Sequence, residues 1–177
     1  MSYWFWLFIM YSFFGYCLEK VFAYAIHSPR QVRKCFLLLP LCPVYGLSMV
    51  SVLLTGEPLL PFWIEVLLYG SICTLVEYAV HIFYDKVFHI RFWDYSDRSI
   101  HLSGRICPHF SLVWGILSAL AVQYLQPVIA SIAGSITPEV TFAAWLLLAL
   151  DTVLTATLLY RFHNTELLSL PALLAQE

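Results

Sequence analysis

Five apolar stretches, at about residues 3–25, 36–55, 62–85, 108–131 and 139–161, take up most of the chain and leave only short polar or Pro/Gly-marked segments between them. A helix of roughly 20 apolar residues crosses the hydrocarbon core of a bilayer, so this pattern predicts an all-α, polytopic bundle of about five transmembrane helices. Composition agrees: of 177 residues, 61% are hydrophobic and 11% charged, which is too few charges to cover a water-facing surface. A single transmembrane domain over 1–165 with a tail at 166–177 follows, with no room for a soluble ATP-binding or catalytic domain. No nucleic-acid interface and no cofactor is expected. The opening MSYWFWLFIMYSFFGY has no basic n-region and reads as a retained first helix.

The nine Lys and Arg residues orient this bundle. Lys20, Arg30, Arg33, Lys34, Lys86, Arg91, Arg98, Arg105 and Arg161 all fall at the end of the first span, in the first and third loops, or at the end of the last span. The second loop, around Glu57 and Pro58, and the segment from Gln126 to Glu139 carry none. The positive-inside rule then puts the N-terminus outside and the C-terminus in the cytoplasm, in a multi-pass protein of the inner (plasma) membrane. Trp4, Trp6 and Trp63 suit the outer interface and Trp93 the inner one, while Trp114 and Trp145 are expected to pack between helices. Five cysteines without a CxxC pair read as free thiols.

An ionisable side chain in hydrocarbon costs on the order of 3 kcal/mol and needs a partner, a wet cavity or a function. Four carboxylates meet that description: Glu65 near the outer interface, Asp151 near the midplane, and Glu19 and Glu77 in the cytoplasmic third. Glu77 and His81 are four residues apart, hence on one helix face. They suit proton or cation coupling, or a hydrogen-bonded pair that anchors the third span against Lys20 or Arg105. In the second span, PLCPVYG at 40–46 predicts a break or kink, because Pro40 and Pro43 each remove a backbone donor. Broken helices expose backbone groups to ligands in transporters, and Tyr45 lies in this element.

The third loop is dense in aromatic and charged residues. Phe92, Trp93 and Tyr95 are expected to return to the interface, Asp94 and Asp97 to pair with Arg98 or Arg105, and Gly104 to turn Arg105 back toward Glu19 or Glu77. The candidate ligand-binding or coupling set is therefore Glu19, Tyr45, Glu77, His81, Trp93, Asp94 and Arg105. No nucleophile–base constellation or metal motif accompanies it.

Several segments resemble a bacterial membrane family of type IV ABC-transporter permeases: GYCLEK at 15–20, FLLLPLCPVYG at 36–46, LVEYAVHIFYDKVF in the third span, WDYSD at 93–97, LSGRIC at 102–107 and FSLVWG at 110–115. The chain departs from that family's pattern at His101, where Asn is usual, and at Lys34 and Cys35, where Arg-Gly is usual. The resemblance implies a helical membrane protein with a permease-like role. The residues themselves admit three functions. In the first, a transporter or permease carries the polar set in a cavity near the cytoplasmic face. In the second, a membrane-embedded enzyme acts on a lipid or isoprenoid, with Asp94, Glu77 or His81 as acid or base and Arg105 on a phosphate. In the third, an accessory or scaffolding subunit packs or homo-oligomerises through Gly115, Ser118, Ala119, Ala143, Ala144 and Ala149. Transport ranks first. The expected partners are membrane lipids and a small-molecule or lipid ligand.

Overall fold

The computed structural model describes residues 2–25, 35–56 and 60–168. Arg30, Arg33 and Lys34 of the first loop, Glu57 and Pro58 of the second, and the tail from 169 onward lie outside the described residues. The regular elements of the described residues are all helical, and the connecting segments hold one isolated bridge between Leu102 and Ile106. The order is α1 (Ser2–Ala25), α2 (Pro43–Leu53), α3 (Phe62–Val87), α4 (Pro108–Leu120), α5 (Gln126–Ser135) and α6 (Pro138–Phe162), with a short 3-10 turn at Thr165–Leu168. A π-helical turn over Ala121–Leu125 joins α4 to α5, so the two form one rod and the α-helical rods among the described residues number five. Pro127 supplies the reason. Its ring would clash with the carbonyl four residues back, and the wider turn lets the Gln126 amide donate to Ala121 instead.

Four of these rods are long and apolar enough to cross a membrane: α1, α3, α4–α5 and α6. The second apolar stretch differs from the others. Residues 35–42 are not helical and only Pro43–Leu53 is; at 1.5 Å per residue, α2 is about 16 Å long and cannot cross a core of about 30 Å alone. The expected break at Pro40–Pro43 is therefore a full loss of helix ahead of Pro43. Pro43 occupies the first turn of α2, where its missing N–H costs nothing. The segment from Gln126 to Glu139 is also shorter as a loop than the sequence suggests, since Gln126–Ser135 stays helical.

Non-helical backbone at membrane depth needs internal partners, and residues 35–42 have them. The amides of Leu38 and Leu39 donate to Oδ1 and Oδ2 of Asp151 on α6, at 3.2 and 3.1 Å. The Leu41 amide reaches the Leu39 carbonyl at 2.7 Å, and the Cys42 amide reaches the Ser12 carbonyl of α1 at 2.8 Å. Asp151 is buried, and Thr155 one turn on donates to it as well. The carboxylate marked by the sequence as needing a partner thus takes backbone amides.

Close helix contacts rely on glycine. A Cβ at Gly15 would strike the Tyr45 ring, and one at Gly46 would strike Ser12 and Phe8, which brings α2 against α1. Gly70 and Gly115 face each other where α3 meets α4, with the Ser111 carbonyl 2.7 Å from a Cβ at Gly70. Ser118 and Ala119 are buried at the same seam, so three of the small residues considered for oligomerisation are used within the chain. Trp114 packs between helices against Tyr45, whereas Trp145 stacks on Phe5 at 5.1 Å yet stays 55% exposed. All five cysteines are free.

Side-chain contacts define the two ends of the bundle. At one end, Trp6 of α1 donates to Thr141 of α6 at 2.9 Å, and Tyr11 donates to Gln126 at 2.8 Å. At the other end, His163 after α6 bonds the Phe88 carbonyl after α3 at 2.6 Å, and Phe22 of α1 meets Phe110 of α4. Lys20, Lys86, Arg91, Arg98, Arg105 and Arg161 all belong to this second end.

Candidate functional site

The loop from Phe88 to Cys107 folds back over the final turns of α3. Its geometry begins with a tight turn at Leu102–Arg105, closed by the Arg105 amide on the Leu102 carbonyl at 3.0 Å. Ser103 and Gly104 both have positive φ, 54° and 69°, the pattern of a type I′ turn. Gly104 is required for space as well as conformation, because a Cβ there would lie 2.6 Å from both Asp94 Oδ1 and Ser96 Oγ. The Gly104 carbonyl accepts the Tyr95 amide at 2.8 Å, its amide donates to His101 Nδ1 at 2.9 Å, and the Trp93 indole donates to the Arg105 carbonyl at 3.1 Å. Asp94 closes the assembly by accepting the Ser96 amide and hydroxyl at 2.9 and 2.5 Å.

This rigid loop presents three groups to one face of α3. Glu77, His81 and Asp85 are spaced by four residues and form a ladder down that face. At the top rung, the Tyr95 hydroxyl donates to Glu77 Oε1 at 2.8 Å. At the middle, His81 Nε2 lies 3.2 Å from the Trp93 carbonyl. A carbonyl only accepts, so Nε2 carries the proton and Nδ1 of the neutral ring is a bare acceptor. At the bottom, Arg105 donates to Asp85 Oδ2 at 2.9 Å, and Arg91 reaches Oδ1 at 3.5 Å. The Arg105 guanidinium also lies 6.0 Å from the centre of the Tyr78 ring.

The two upper rungs are buried and incompletely bonded. Glu77 is 7% exposed and His81 2%, and Glu77 Oε2 and His81 Nδ1 are buried without a hydrogen-bond partner among the described residues. The Trp114 side chain is within electrostatic reach of the Glu77 carboxylate but makes no well-formed hydrogen bond to Oε2. A second carboxylate–tyrosine pair adjoins: the Tyr45 hydroxyl donates to Glu19 Oε1 at 2.7 Å, and Glu19 is close enough to act on both Glu77 and Tyr95. Tyr45, Trp114, Phe110 and Tyr95 pack ring to ring between the two pairs, at centroid distances of 5.4, 6.0 and 5.1 Å.

The loop's own ionisable groups follow their partners. Burial, and then the Glu77 charge, hold the Tyr95 hydroxyl well above the ordinary tyrosine range, so it stays a donor. The Ser96 hydroxyl and amide hold Asp94 below the usual carboxylate value, and the hydrogen bond to Asp85 raises Arg105 further.

All seven candidate residues lie in or beside this assembly, but the pairings differ from those expected. Arg105 meets Asp85 instead of Glu19 or Glu77, because the Leu102–Arg105 turn directs it to the last turn of α3. Asp94 pairs with Ser96 and, at 3.7 Å, with Arg91, while Arg98 lies over the Phe110 ring at 5.9 Å. Asp85 and Tyr95 belong to the same assembly but were not in the candidate set read from the sequence. The four-residue step from Glu77 through His81 to Asp85 was the available signal for the first.

A family model described as Putative ABC-transporter type IV matches residues 6–159. No curated protein and no solved structure matches the chain. The four apolar helices make this a membrane protein and, with that family, fit a transporter- or permease-like role. The match runs from the first turns of α1 to the last turn of α6 and takes in the whole α3 ladder and its loop: the chain belongs to the family described as Putative ABC-transporter type IV.

Proposed function

We propose that this chain is a permease of the plasma membrane, oriented with its N-terminus outside, whose coupling site is the upper part of the α3 ladder near the cytoplasmic face. The observation that carries this reading is the pair of buried acceptors on successive turns, Glu77 Oε2 and His81 Nδ1, that have no hydrogen-bond partner among the described residues. Both can take a proton, or share a small cation, without rearranging the hydrogen bonds that hold them. Tyr95 and the Trp93 carbonyl fix the other atom of each group, so a change of charge at this point is delivered to the 88–107 loop. The gathering of basic residues at that end of the bundle supports the orientation. Glu19 and Tyr45 join the site from α1 and α2, the broken element, and Asp94 and Arg105 brace the loop.

Proteoliposomes supplied with a mixture of small metabolites test this reading, with internal solutes resolved by mass spectrometry under an imposed proton gradient. Wild-type vesicles are expected to accumulate at least one solute that empty vesicles do not, and Glu77→Gln is expected to abolish the gradient-dependent part while leaving the protein folded. Equal accumulation by Glu77→Gln would sink the proposal. Reporter fusions at the two termini test the orientation separately.

A further inference from the structure

Away from the ladder, the non-helical segment has a second effect on the fold. Phe36 stacks on Tyr84 of α3 at 5.3 Å, while Leu38 and Leu39 are tied to Asp151 of α6. The segment therefore stands between α3 and α6 and keeps them apart. Beside it is a cavity of about 400 Å3, walled by Phe8 of α1, Leu47 of α2, Ala79 and Phe83 of α3, and Leu148 and Thr152 of α6. This is within the range of small-ligand sites, about 300–1,000 Å3.

The lining names the chemistry of the occupant. Apart from Tyr84, Thr152 is its polar side chain, and the Thr152 hydroxyl already donates to the Leu148 carbonyl at 2.7 Å. Water needs two to four polar partners to settle in such a space and does not find them here. Leu47, Ala79, Phe83 and Thr152 are exposed at the rim, so in a membrane the mouth opens onto lipid tails. Filling it with hydrocarbon restores the dispersion contacts that an empty space forfeits.

One charged group continues the same surface. Positions 79, 83 and 86 share a face of α3 by their spacing, so Lys86 sits one turn beyond the cavity, about 5 Å along the helix. It is exposed and forms no ion pair with any described residue. Asp85, its neighbour in sequence, is committed to Arg105 and Arg91.

We propose that the space between α3 and α6 is a binding site for an anionic phospholipid, with one acyl chain in the cavity and the phosphate at Lys86. The site is separate from the Glu77–His81 rungs, and its test does not depend on transport. Purified protein in detergent is incubated with phosphatidylglycerol or with phosphatidylcholine of the same chains, and the lipid retained is counted by native mass spectrometry. Wild type is expected to keep one lipid, with a preference for phosphatidylglycerol of roughly fivefold, as one lysine near a headgroup supplies. Ala79→Phe and Leu148→Trp fill the cavity from opposite walls and are expected to lower retention of both lipids roughly tenfold or more. Ala79 is on the exposed rim, so that variant remains readable if the bulkier one misfolds. Lys86→Gln is expected to keep the lipid and lose the preference. Unchanged retention in a folded cavity-filled variant, or an unchanged preference in Lys86→Gln, would overturn the proposal.

Discussion

Asp151 and Glu77 are two carboxylates of one kind of environment: each is buried in a long apolar helix, 8% and 7% exposed. Their surroundings treat them differently. Asp151 spends both oxygens on backbone amides of the non-helical segment, with Thr155 in support. Glu77 spends one oxygen on Tyr95 and keeps the other without a partner among the described residues, one turn from a histidine nitrogen in the same condition. Burial alone therefore does not identify a working group in a membrane. A carboxylate whose acceptors are all taken by the main chain is a fastener. One left with open capacity next to a second open acceptor is able to change its protonation or its partner.

The sharpest way to break this comparison is Asp151→Ala. It strands two amides in an apolar setting at about 1–3 kcal/mol each, and a clear drop in the melting temperature of the detergent-solubilised protein is expected. Asp151→Asn refines the result, because its amide nitrogen would face a backbone N–H; a variant as stable as wild type would show that the two amides do not need the carboxylate. Next in size is Gly104→Ala. It places a Cβ against Asp94 and Ser96 in a left-handed turn and is expected to cost about 1–3 kcal/mol. Loosening of the loop, read as faster amide exchange at Tyr95 and Arg105, should accompany the loss. Glu77→Gln should change stability by less than about 1 kcal/mol, since glutamine keeps the acceptor for Tyr95 and removes a buried charge. A loss as large as that of Asp151→Ala would erase the distinction between the two sites.

The smallest expected effect is at Asp94. Its carboxyl titrates below the ordinary value of 3.8 in the native loop, so near that pH the unfolded chain binds more protons than the folded one. The stability contributed by the Ser96 contacts is full above the ordinary value and fades as pH falls through the depressed native one. Exchange protection of the Ser96 amide, measured relative to Asp94→Asn, should decline only below about pH 4. A decline centred near pH 6 would assign the effect to a histidine instead.

Much of the architecture was legible because it is local. Hydropathy picked out the long apolar helices, Pro40 and Pro43 marked the break, and a spacing of four put Glu77 and His81 on one face. The partners were not legible, because each depends on chain that returns from far away. Arg105 finds Asp85 only once Ser103, a non-glycine residue, accepts a left-handed conformation that no propensity would assign to it. Tyr95 finds Glu77 only once the Gly104 carbonyl has taken its amide. Asp151 was visible as a carboxylate in need of a partner, but apolar residues such as Leu38 and Leu39 give no hint that their backbone would supply it.

The Asp151 contacts also set an order of events during synthesis. The amides of Leu38 and Leu39 precede their acceptor by 113 and 112 residues, which at ribosomal speed is a delay of roughly 6–23 s. Through that interval α1 is already present to receive the Cys42 amide, whereas the carboxylate that receives the two leucine amides has not yet been made. Residues 35–42 are then expected to remain in contact with water or the insertion machinery until α6 arrives. Cys35 and Cys42, 1% and 2% exposed in the finished fold, would be open to thiol reagents in a nascent chain arrested before α6 and closed to them afterwards.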